Sequence, residues 1–402
     1  MSAPPEALGA LLERFDRDAF DMPAGRARVR LAATGHGAWD LEVNGGRHRV
    51  KRSREGTEPD TELSADLATW AKVANDLKGG MQAYRAGRLM VRRNLHLGVG
   101  FLAATNASGD PDRLKFRTLD TECGRMSTFE AGPANGTPIV MLHGLGATKA
   151  EFLPTVPALA PEFRTIAVDL PGFGDSDKPL RAAYDAPMFA RWVHALLDAL
   201  ELDRVHLLGH SMGGRVALEV GMRHPDRIDR LVLMTPSMAW LSQPGWAKSL
   251  RLVRPELGFL QPAPKNFVHG IVKRVVPGSA SHFIAPALDE FLRSYLTPRG
   301  RVAFYAAARN IAMEKPDEFW DGLASLSPES LFIWGRHDGL VPIGFARHVK
   351  ERLPAARHCE LDCGHVPQLE RPGQLHAAIT RFLRSPARAP GGQRSRSRSA
   401  AA

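Results

Sequence analysis

A short apolar segment runs directly into a serine with glycine on either side, and a stretch of helical pattern follows it. The segment is Val-His-Leu-Leu (205–208), the serine lies in Gly-His-Ser-Met-Gly (209–213), and the helical pattern covers 215–223. A chain that turns sharply from strand to helix needs flanking residues without a Cβ. The turn exposes the hydroxyl at a helix N-terminus, where backbone N–H groups favour negative charge. Ser211 is therefore the predicted nucleophile.

The region from about residue 115 to 386 alternates apolar runs with helical stretches. A helical pattern covers 189–200, and apolar runs lie within segments 137–144, 165–177, 204–210, 230–237, 330–338 and 358–365. Short apolar strands separated by helices are typical of a parallel sheet covered on both faces. We predict an α/β domain with a doubly wound, mostly parallel sheet.

The chain of 402 residues is too long for one ordinary core, so two domains are expected. A polar segment with glycine and proline at 106–113 separates them. We predict a smaller α+β domain at 1–105, a linker at 106–116, the α/β domain at 117–385 and a disordered basic tail at 386–402. Residues 238–325 interrupt the strand–helix alternation and carry aromatic residues among prolines, which is typical of a lid over a site.

A serine hydroxyl needs a base to take its proton. His365 follows the last apolar run in a Gly-His pair, and Asp338 follows the preceding run. A carboxylate there can bond the imidazole Nδ1–H and stabilise the imidazolium. The chain order serine, acid, histidine fits this kind of domain. We predict Ser211, Asp338 and His365 as a catalytic triad.

Rival residues fit these roles less well. His269, His282 and His376 lack a preceding strand end, and Asp362 lies within the last apolar run, where a structural role is expected. His210 adjoins Ser211 too closely to act as its base, so we expect it to pack in the interior or line the pocket.

An oxyanion requires two hydrogen-bond donors. The backbone N–H of Met212, directly after the nucleophile, is the first. The second is predicted in the glycine-containing loop at 143–146. Leu145 is the preferred residue because it follows a His-Gly pair, and Gly146 is the alternative.

Two clusters resemble ligand sites but are interpreted otherwise. In Asp-Leu-Pro-Gly-Phe-Gly-Asp-Ser-Asp (169–177) we expect the glycines to form a turn and the acidic residues to face solvent or cap a helix. Cys359 and Cys363 have no second Cys/His pair nearby, so no zinc site is predicted.

The formal net charge of +10 is concentrated in Arg-His-Arg-Val-Lys-Arg-Ser-Arg (47–54) and in the tail. Without interleaved aromatic residues these segments do not predict nucleic-acid binding. A weak contact with an anionic membrane surface stays open as an alternative. Three cysteines and no secretory leader pattern favour a reducing, cytoplasmic location, with membrane association as the alternative.

Residues from about 115 to 385 resemble the α/β-hydrolase family, in the branch of monoacylglycerol-lipase-like enzymes and bacterial esterases. The segments that carry the likeness are Leu-His-Gly-Leu-Gly-Ala-Thr-Lys-Ala-Glu-Phe (142–152), the serine turn, 335–342 and 363–372. The resemblance implies a serine carboxylic-ester hydrolase that works through an acyl-enzyme and needs no metal or organic cofactor. Carbon–carbon bond hydrolases of ring-cleavage or steroid-derived products share the serine turn, so that activity is an alternative.

The first domain resembles sterol-carrier-protein-2-like domains. Residues 38–50 read as a hairpin with Asn-Gly-Gly at its turn, and 64–94 match a helix, loop and strand of that family. The Gly-Asp that usually follows the strand is replaced by Arg93-Asn94. The resemblance implies a lipid-binding domain that would supply a lipid or apolar ester to Ser211. A non-catalytic lipid carrier or scaffold is the remaining alternative.

Overall fold

The computed structural model describes residues 3–22, 24–75, 83–84, 87–105, 114–240, 252, 254–255, 289 and 292–386. Within these residues the strands form two sheets, one of five strands and one of eight. The predicted tail at 387–402 and much of the predicted lid lie outside the described residues. Among the described helices, none combines the length and the hydropathy required to cross a bilayer.

The smaller sheet is formed by the N-terminal domain. Its strands take the order β3-β2-β1-β4-β5, with β1 and β4 parallel and the other neighbours antiparallel. The elements are α1 (Glu6–Glu13), β1 (Arg26–Ala33), β2 (Gly37–Asn44), β3 (Arg47–Arg52), β4 (Thr61–Ala65), α2 (Leu67–Asn75), β5 (Met90–Arg92) and α3 (Leu95–Ala104). The basic segment predicted from the sequence forms β3, an exposed edge strand.

Strand β1 shows why this sheet forms. Its side chains alternate between buried and more exposed, and the buried set includes Val29 and Leu31. The outward Arg30 donates two hydrogen bonds to Asp40 on β2, of 2.8 and 3.1 Å. Apolar alternation on one face and charge pairing on the other set the register of the two strands.

The larger sheet takes the order β13-β12-β11-β10-β8-β9-β7-β6. It is parallel except where β7 pairs antiparallel with β6 and β9. The elements are β6 (Lys115–Thr121), β7 (Gly124–Ala131), β8 (Thr137–Leu142), a 3-10 turn (Lys149–Phe152), α4 (Val156–Leu159), β9 (Phe163–Val168), α5 (Ala186–Ala199), β10 (Val205–His210), α6 (Met212–Arg223), a second 3-10 turn (Pro225–Arg227), β11 (Ile228–Met234), α7 (Pro298–Met313), α8 (Pro316–Ala324), β12 (Glu329–Gly335), α9 (Phe345–Arg352), β13 (Arg357–Leu361), α10 (Pro367–Glu370) and α11 (Pro372–Arg384).

The central strands of this sheet are buried on both faces. All six residues of β10 are buried, and the last six of β12 are as well. One cluster of buried apolar side chains covers one face of the sheet and a second covers the other. The doubly wound, mostly parallel sheet expected from the sequence is therefore present, with β6 starting at Lys115, inside the segment expected to be a linker.

Parallel strands place their carboxyl ends along one edge of the sheet, and loops at that edge commonly form sites. Strands β8, β10, β12 and β13 run parallel to their neighbours in the central part of the sheet. The segments that follow them contain Leu145, Ser211, Asp338 and His365. The topology thus collects residues that are more than 200 positions apart in the chain.

Candidate active site

The turn between β10 and α6 holds Ser211 in a strained conformation. Ser211 has φ 51° and ψ −116°, a backbone conformation that residues other than glycine rarely adopt. A Cβ at Gly209 would lie 2.3 Å from the Gly213 carbonyl oxygen, and one at Gly213 would lie 2.1 Å from that of Leu142. Both glycines are therefore required where the strand and the helix cross.

The structure brings together the three residues predicted as a triad. The Ser211 Oγ lies 2.9 Å from the His365 Nε2, and the His365 Nδ1 lies 2.7 Å from the Asp338 Oδ2. Asp338 and His365 are buried, with 7% and 6% of their surface exposed. The hydroxyl, imidazole and carboxylate form a continuous path along which the imidazole can take a proton from the hydroxyl.

The Asp338 carboxylate is held in place by its own loop. Its Oδ1 accepts hydrogen bonds from the backbone N–H groups of Leu340 and Val341, at 2.8 and 2.9 Å. The Oδ2 is left to face the imidazole. This division of the two oxygens fixes the carboxylate plane and thereby the orientation of the His365 ring.

The loop after β8 approaches the serine closely. A Cβ on Gly144 would lie 3.3 Å from the Ser211 Cβ. The Gly144 N–H is already bonded to the Glu151 Oε2 at 2.9 Å, so the donors left in this loop include those of the predicted residues Leu145 and Gly146. Met212 is the first residue of α6, and N–H groups at a helix start lack intrahelical acceptors.

Behind the site lies a buried ion pair between Glu151 and His210. Burial alone would lower the pKa of His210, but the adjacent carboxylate outweighs this and raises it. Burial would raise the pKa of Glu151, and the charge of His210 lowers it instead. Gln368 and the Gly144 N–H also donate to this carboxylate. Each partner therefore favours the charged form of the other, and the pair joins β10 to the loop after β8.

His210 also holds the backbone of the predicted base. Its Nε2 lies 2.7 Å from the His365 carbonyl oxygen, and the Thr235 Oγ1 donates to the same oxygen at 3.0 Å. Because a carbonyl only accepts, the His210 Nε2 donates to it, while the Nδ1 faces the Glu151 carboxylate in the ion pair. The sequence correctly indicated an interior histidine at 210 but not this role. The sequence alone does not identify Glu151, and its only signal there is its position two residues after Lys149 in the segment that resembles the family.

The segment 169–177 departs from expectation. Its acidic residues were expected to face solvent or cap a helix, which is wrong for Asp169 and Asp175. The Lys149 Nζ donates to Asp169 at 2.6 Å and to Asp175 at 3.2 Å. Burial disfavours each charge, yet the pKa of Lys149 is raised and that of Asp169 is lowered, because each stabilises the other. Interior carboxylates need such partners, which the sequence does not display.

Other candidate residues stay apart from the serine. Asp362 is exposed and lies 2.8 Å from the His337 Nε2. His376 lies 3.2 Å from the Thr155 Oγ1, while His269 and His282 are outside the described residues.

Burial raises the pKa of Cys363 to about 12, so its thiol stays protonated at neutral pH. Within the described residues, no group of three or more His, Cys, Asp or Glu side chains could hold a metal ion.

Comparison with known families gives the same fold. Residues 137–372 match the family model described as alpha/beta hydrolase fold. The chain belongs to the α/β-hydrolase family. Residues 8–102 match the SCP-2 sterol transfer family, as the resemblance of the first domain predicted.

Several curated relatives match just under two thirds of the chain. The chain is 33% identical over 263 residues to the dihydrolipoyllysine-residue acetyltransferase component of an acetoin cleaving system from Pseudomonas putida, covering 64% of this chain and only 66% of that protein. It is 30% identical to the pimeloyl-[acyl-carrier protein] methyl ester esterase of Aeromonas hydrophila, covering 62% and 96%. It is 28% identical to the 2-hydroxymuconate semialdehyde hydrolase of Pseudomonas sp. strain CF600, covering 62% and 87%.

A solved structure agrees on architecture. The enol-lactonase from Burkholderia xenovorans LB400 superimposes with a TM-score of 0.59 at 21% identity, covering 67% of this chain and all of that one. At this identity the likeness establishes the fold alone. The proteins similar to this α/β hydrolase thus include a methyl ester esterase and a semialdehyde hydrolase.

Proposed function

We propose that this α/β hydrolase is a serine carboxylic-ester hydrolase that acts on apolar or lipid-like esters. The observation that carries the proposal is the contact chain from the Ser211 Oγ through His365 to Asp338, with distances of 2.9 and 2.7 Å. A nucleophile, a base and an orienting acid at hydrogen-bond distance are what acyl transfer requires.

In the proposed reaction the Ser211 Oγ attacks the ester carbonyl carbon while its proton moves to the His365 Nε2. Asp338 stabilises the imidazolium. The backbone N–H groups of Leu145 and Met212 hold the oxyanion, with Gly146 as the alternative to Leu145. The tetrahedral intermediate collapses, and the leaving alcohol takes the proton from His365. Water, deprotonated by His365, then attacks the acyl-enzyme, and the acid leaves as the proton returns to Ser211.

The presence of both domains in one chain supports a lipid-like substrate class. An SCP-2 sterol transfer domain precedes the hydrolase in one chain, and a curated relative is a pimeloyl-[acyl-carrier protein] methyl ester esterase. A domain of the sterol-carrier kind suits an apolar ligand.

Hydrolysis of p-nitrophenyl esters from C2 to C16 by the full chain tests this function. We expect turnover that rises with acyl length and disappears in Ser211→Ala, with the fold intact by circular dichroism. A fluorophosphonate should label Ser211 in the wild type and not in the variant. Turnover retained in Ser211→Ala would end the proposal, and an unlabelled Ser211 would favour the non-catalytic carrier.

Carbon–carbon bond hydrolysis is the second candidate, because the chain is similar to 2-hydroxymuconate semialdehyde hydrolase. The same serine, histidine and acid would serve, but the substrate would be a vinylogous diketone. Comparing vinylogous diketones with p-nitrophenyl esters at equal concentration separates the two. A higher kcat/KM for the diketones would replace the ester proposal.

A further inference from the structure

Helix α3 of the sterol-carrier domain is apolar at every position except His96. All ten of its residues are buried, including His96. A helix that is apolar all round is covered all round. On one side a Cβ at Gly98 would lie 2.3 Å from the Val91 side chain on β5, so the helix packs tightly on the small sheet. The ring of His96 meets Phe116 of β6 edge-on, with centroids 4.6 Å apart, so the helix also contacts the large domain.

The two domains share their interior along this helix. One continuous cluster of buried apolar side chains extends from the small domain into one face of the large sheet. The cavity left between α3 and the loop residues Thr148 and Lys149 has a volume of about 10 Å³, the size of a single water. The domains are therefore packed together like parts of one core.

His96 reaches the buried charge cluster of the hydrolase. Its Nδ1 lies 3.4 Å from the Asp175 Oδ2, and its Nε2 lies 3.0 Å from the Asp21 Oδ2. Asp175 also accepts from the Lys149 Nζ at 3.2 Å and from the Arg293 Nη1 at 2.6 Å. One carboxylate thus joins the sterol-carrier domain, the first 3-10 turn and the predicted lid.

The cluster continues to the serine through the 3-10 turn. Lys149 begins the turn and is held by Asp169, while Glu151 in the same turn binds the Gly144 N–H and His210. The loop predicted to carry the oxyanion donors is therefore bonded to the 3-10 turn, in which Lys149 and Glu151 both form buried ion pairs. Because the interior has a low dielectric, these pairs resist displacement.

A second contact reaches the lid at Asp289, four residues before Arg293. The Arg92 side chain donates to both Asp289 oxygens, at 2.5 and 3.2 Å, and the Arg93 N–H donates to the Oδ2 at 3.0 Å. Arg93 has φ +71°, a conformation that favours glycine. Arg93-Asn94 is where this domain departs from the Gly-Asp of its family. The departure coincides with contact to the lid, and Asn94 caps α3 by accepting from the Leu97 N–H at 3.0 Å.

We propose that the sterol-carrier domain is a positioning element of the hydrolase site, in which His96 fixes Asp175 and thereby Arg293 and the oxyanion loop. The two domains then work as one docked unit in which His96 acts through other residues and never touches substrate. The inference rests on the proposed function for the identity of the site.

A double-mutant cycle in the full chain tests the link between His96 and Asp175. The variants are His96→Ala, Asp175→Asn and the pair, and the readout is the rate at which a fluorophosphonate labels Ser211. We expect each single variant to slow labelling by about tenfold, and the pair to be no slower than Asp175→Asn alone. The proposal is overturned if the effects of the two single variants on the labelling rate multiply in the double variant, or if His96→Ala is labelled at the wild-type rate. His36→Ala, in an exposed turn of the same domain, is the matched control and should label at the wild-type rate.

Hydrogen exchange provides a readout that does not need an active serine. In His96→Ala we expect faster exchange at 143–153 and 292–300, while the central strand β10 keeps its protection. Unchanged exchange in both segments would refute the positioning role even if no ester is hydrolysed, whereas faster exchange in a chain without esterase activity would refute only the proposed function. With an ester substrate, His96→Ala should lower kcat more than it changes KM, since an oxyanion donor acts in the transition state. His96→Gln should recover part of that kcat.

Discussion

The Glu151 carboxylate and the His210 imidazole ring form a buried pair that connects the two loops on either side of Ser211. Through the Gly144 N–H the pair holds the loop after β8, and through the His365 carbonyl it holds the loop after β13. Neither residue is expected to touch substrate. Their effect on chemistry comes from keeping the oxyanion donors and the base at fixed distances from the nucleophile.

Glu151→Gln should destabilise the protein strongly. The substitution leaves the His210 cation buried without its partner, which costs about 3–5 kcal/mol. Urea unfolding followed by circular dichroism measures the change. Glu162→Gln is the control, because its pair with Arg384 is solvent-exposed and should contribute less than about 1 kcal/mol. Similar losses in the two variants would contradict the assignment of a charged interior pair.

The same pair predicts a pH dependence of stability. The pKa of His210 is raised above its ordinary 6.5, so its contribution is complete below 6.5 and is lost as the pH rises through the folded-state pKa. The pKa of Glu151 is lowered below 4.5, so its contribution is complete above 4.5 and is lost as the pH falls through the folded-state pKa. The measurement is the free energy of unfolding of the wild type and of the double variant Glu151→Gln/His210→Gln from pH 4 to 9. The wild type should be more stable, and the difference between the two should be largest between pH 4.5 and 6.5. A difference that stays constant with pH would count against the ion pair.

Asp338→Asn should reduce kcat by about 10⁴-fold with little loss of stability. An amide in this position favours the wrong imidazole tautomer while leaving the geometry intact. The matched control is Asp362→Asn, since Asp362 is exposed and pairs with His337 instead. Ester hydrolysis at neutral pH is the assay. A larger loss in Asp362→Asn than in Asp338→Asn would move the acid to position 362.

Gly213→Ala should damage the serine turn. The added methyl would meet the Leu142 carbonyl oxygen at 2.1 Å, far inside van der Waals contact, so strand β8 or helix α6 must move. We expect loss of fluorophosphonate labelling together with a lower midpoint of thermal unfolding. At Gly344, where a Cβ has open space, Gly344→Ala should leave both measurements unchanged. Normal labelling in Gly213→Ala would show that the turn tolerates a side chain.

Much of the site could be predicted from the sequence because its constraints are local. The glycines around Ser211 indicate that two backbone segments cross closely. The positions of Asp338 and His365 after apolar runs indicate that both residues follow strands that end at one edge of the sheet. In the structure Ser211 and Asp338 each lie within hydrogen-bond distance of His365, and the catalytic role of the three residues stays a prediction. The prediction for Asp169 and Asp175 is wrong because local sequence does not distinguish the two environments. A turn rich in glycine and acidic residues has the same pattern whether it faces water or the interior.

What the sequence by itself determined was the series of parallel strands in the larger sheet, the turn at Ser211 and the two families, since these depend on neighbours along the chain. Only the tertiary structure decided which charges are buried together. Glu151 lies 59 positions from His210, and His96 lies 79 positions from Asp175. A buried charge is tolerated only beside its counterion, and packing of the domains selects that counterion from many equivalent residues in the chain.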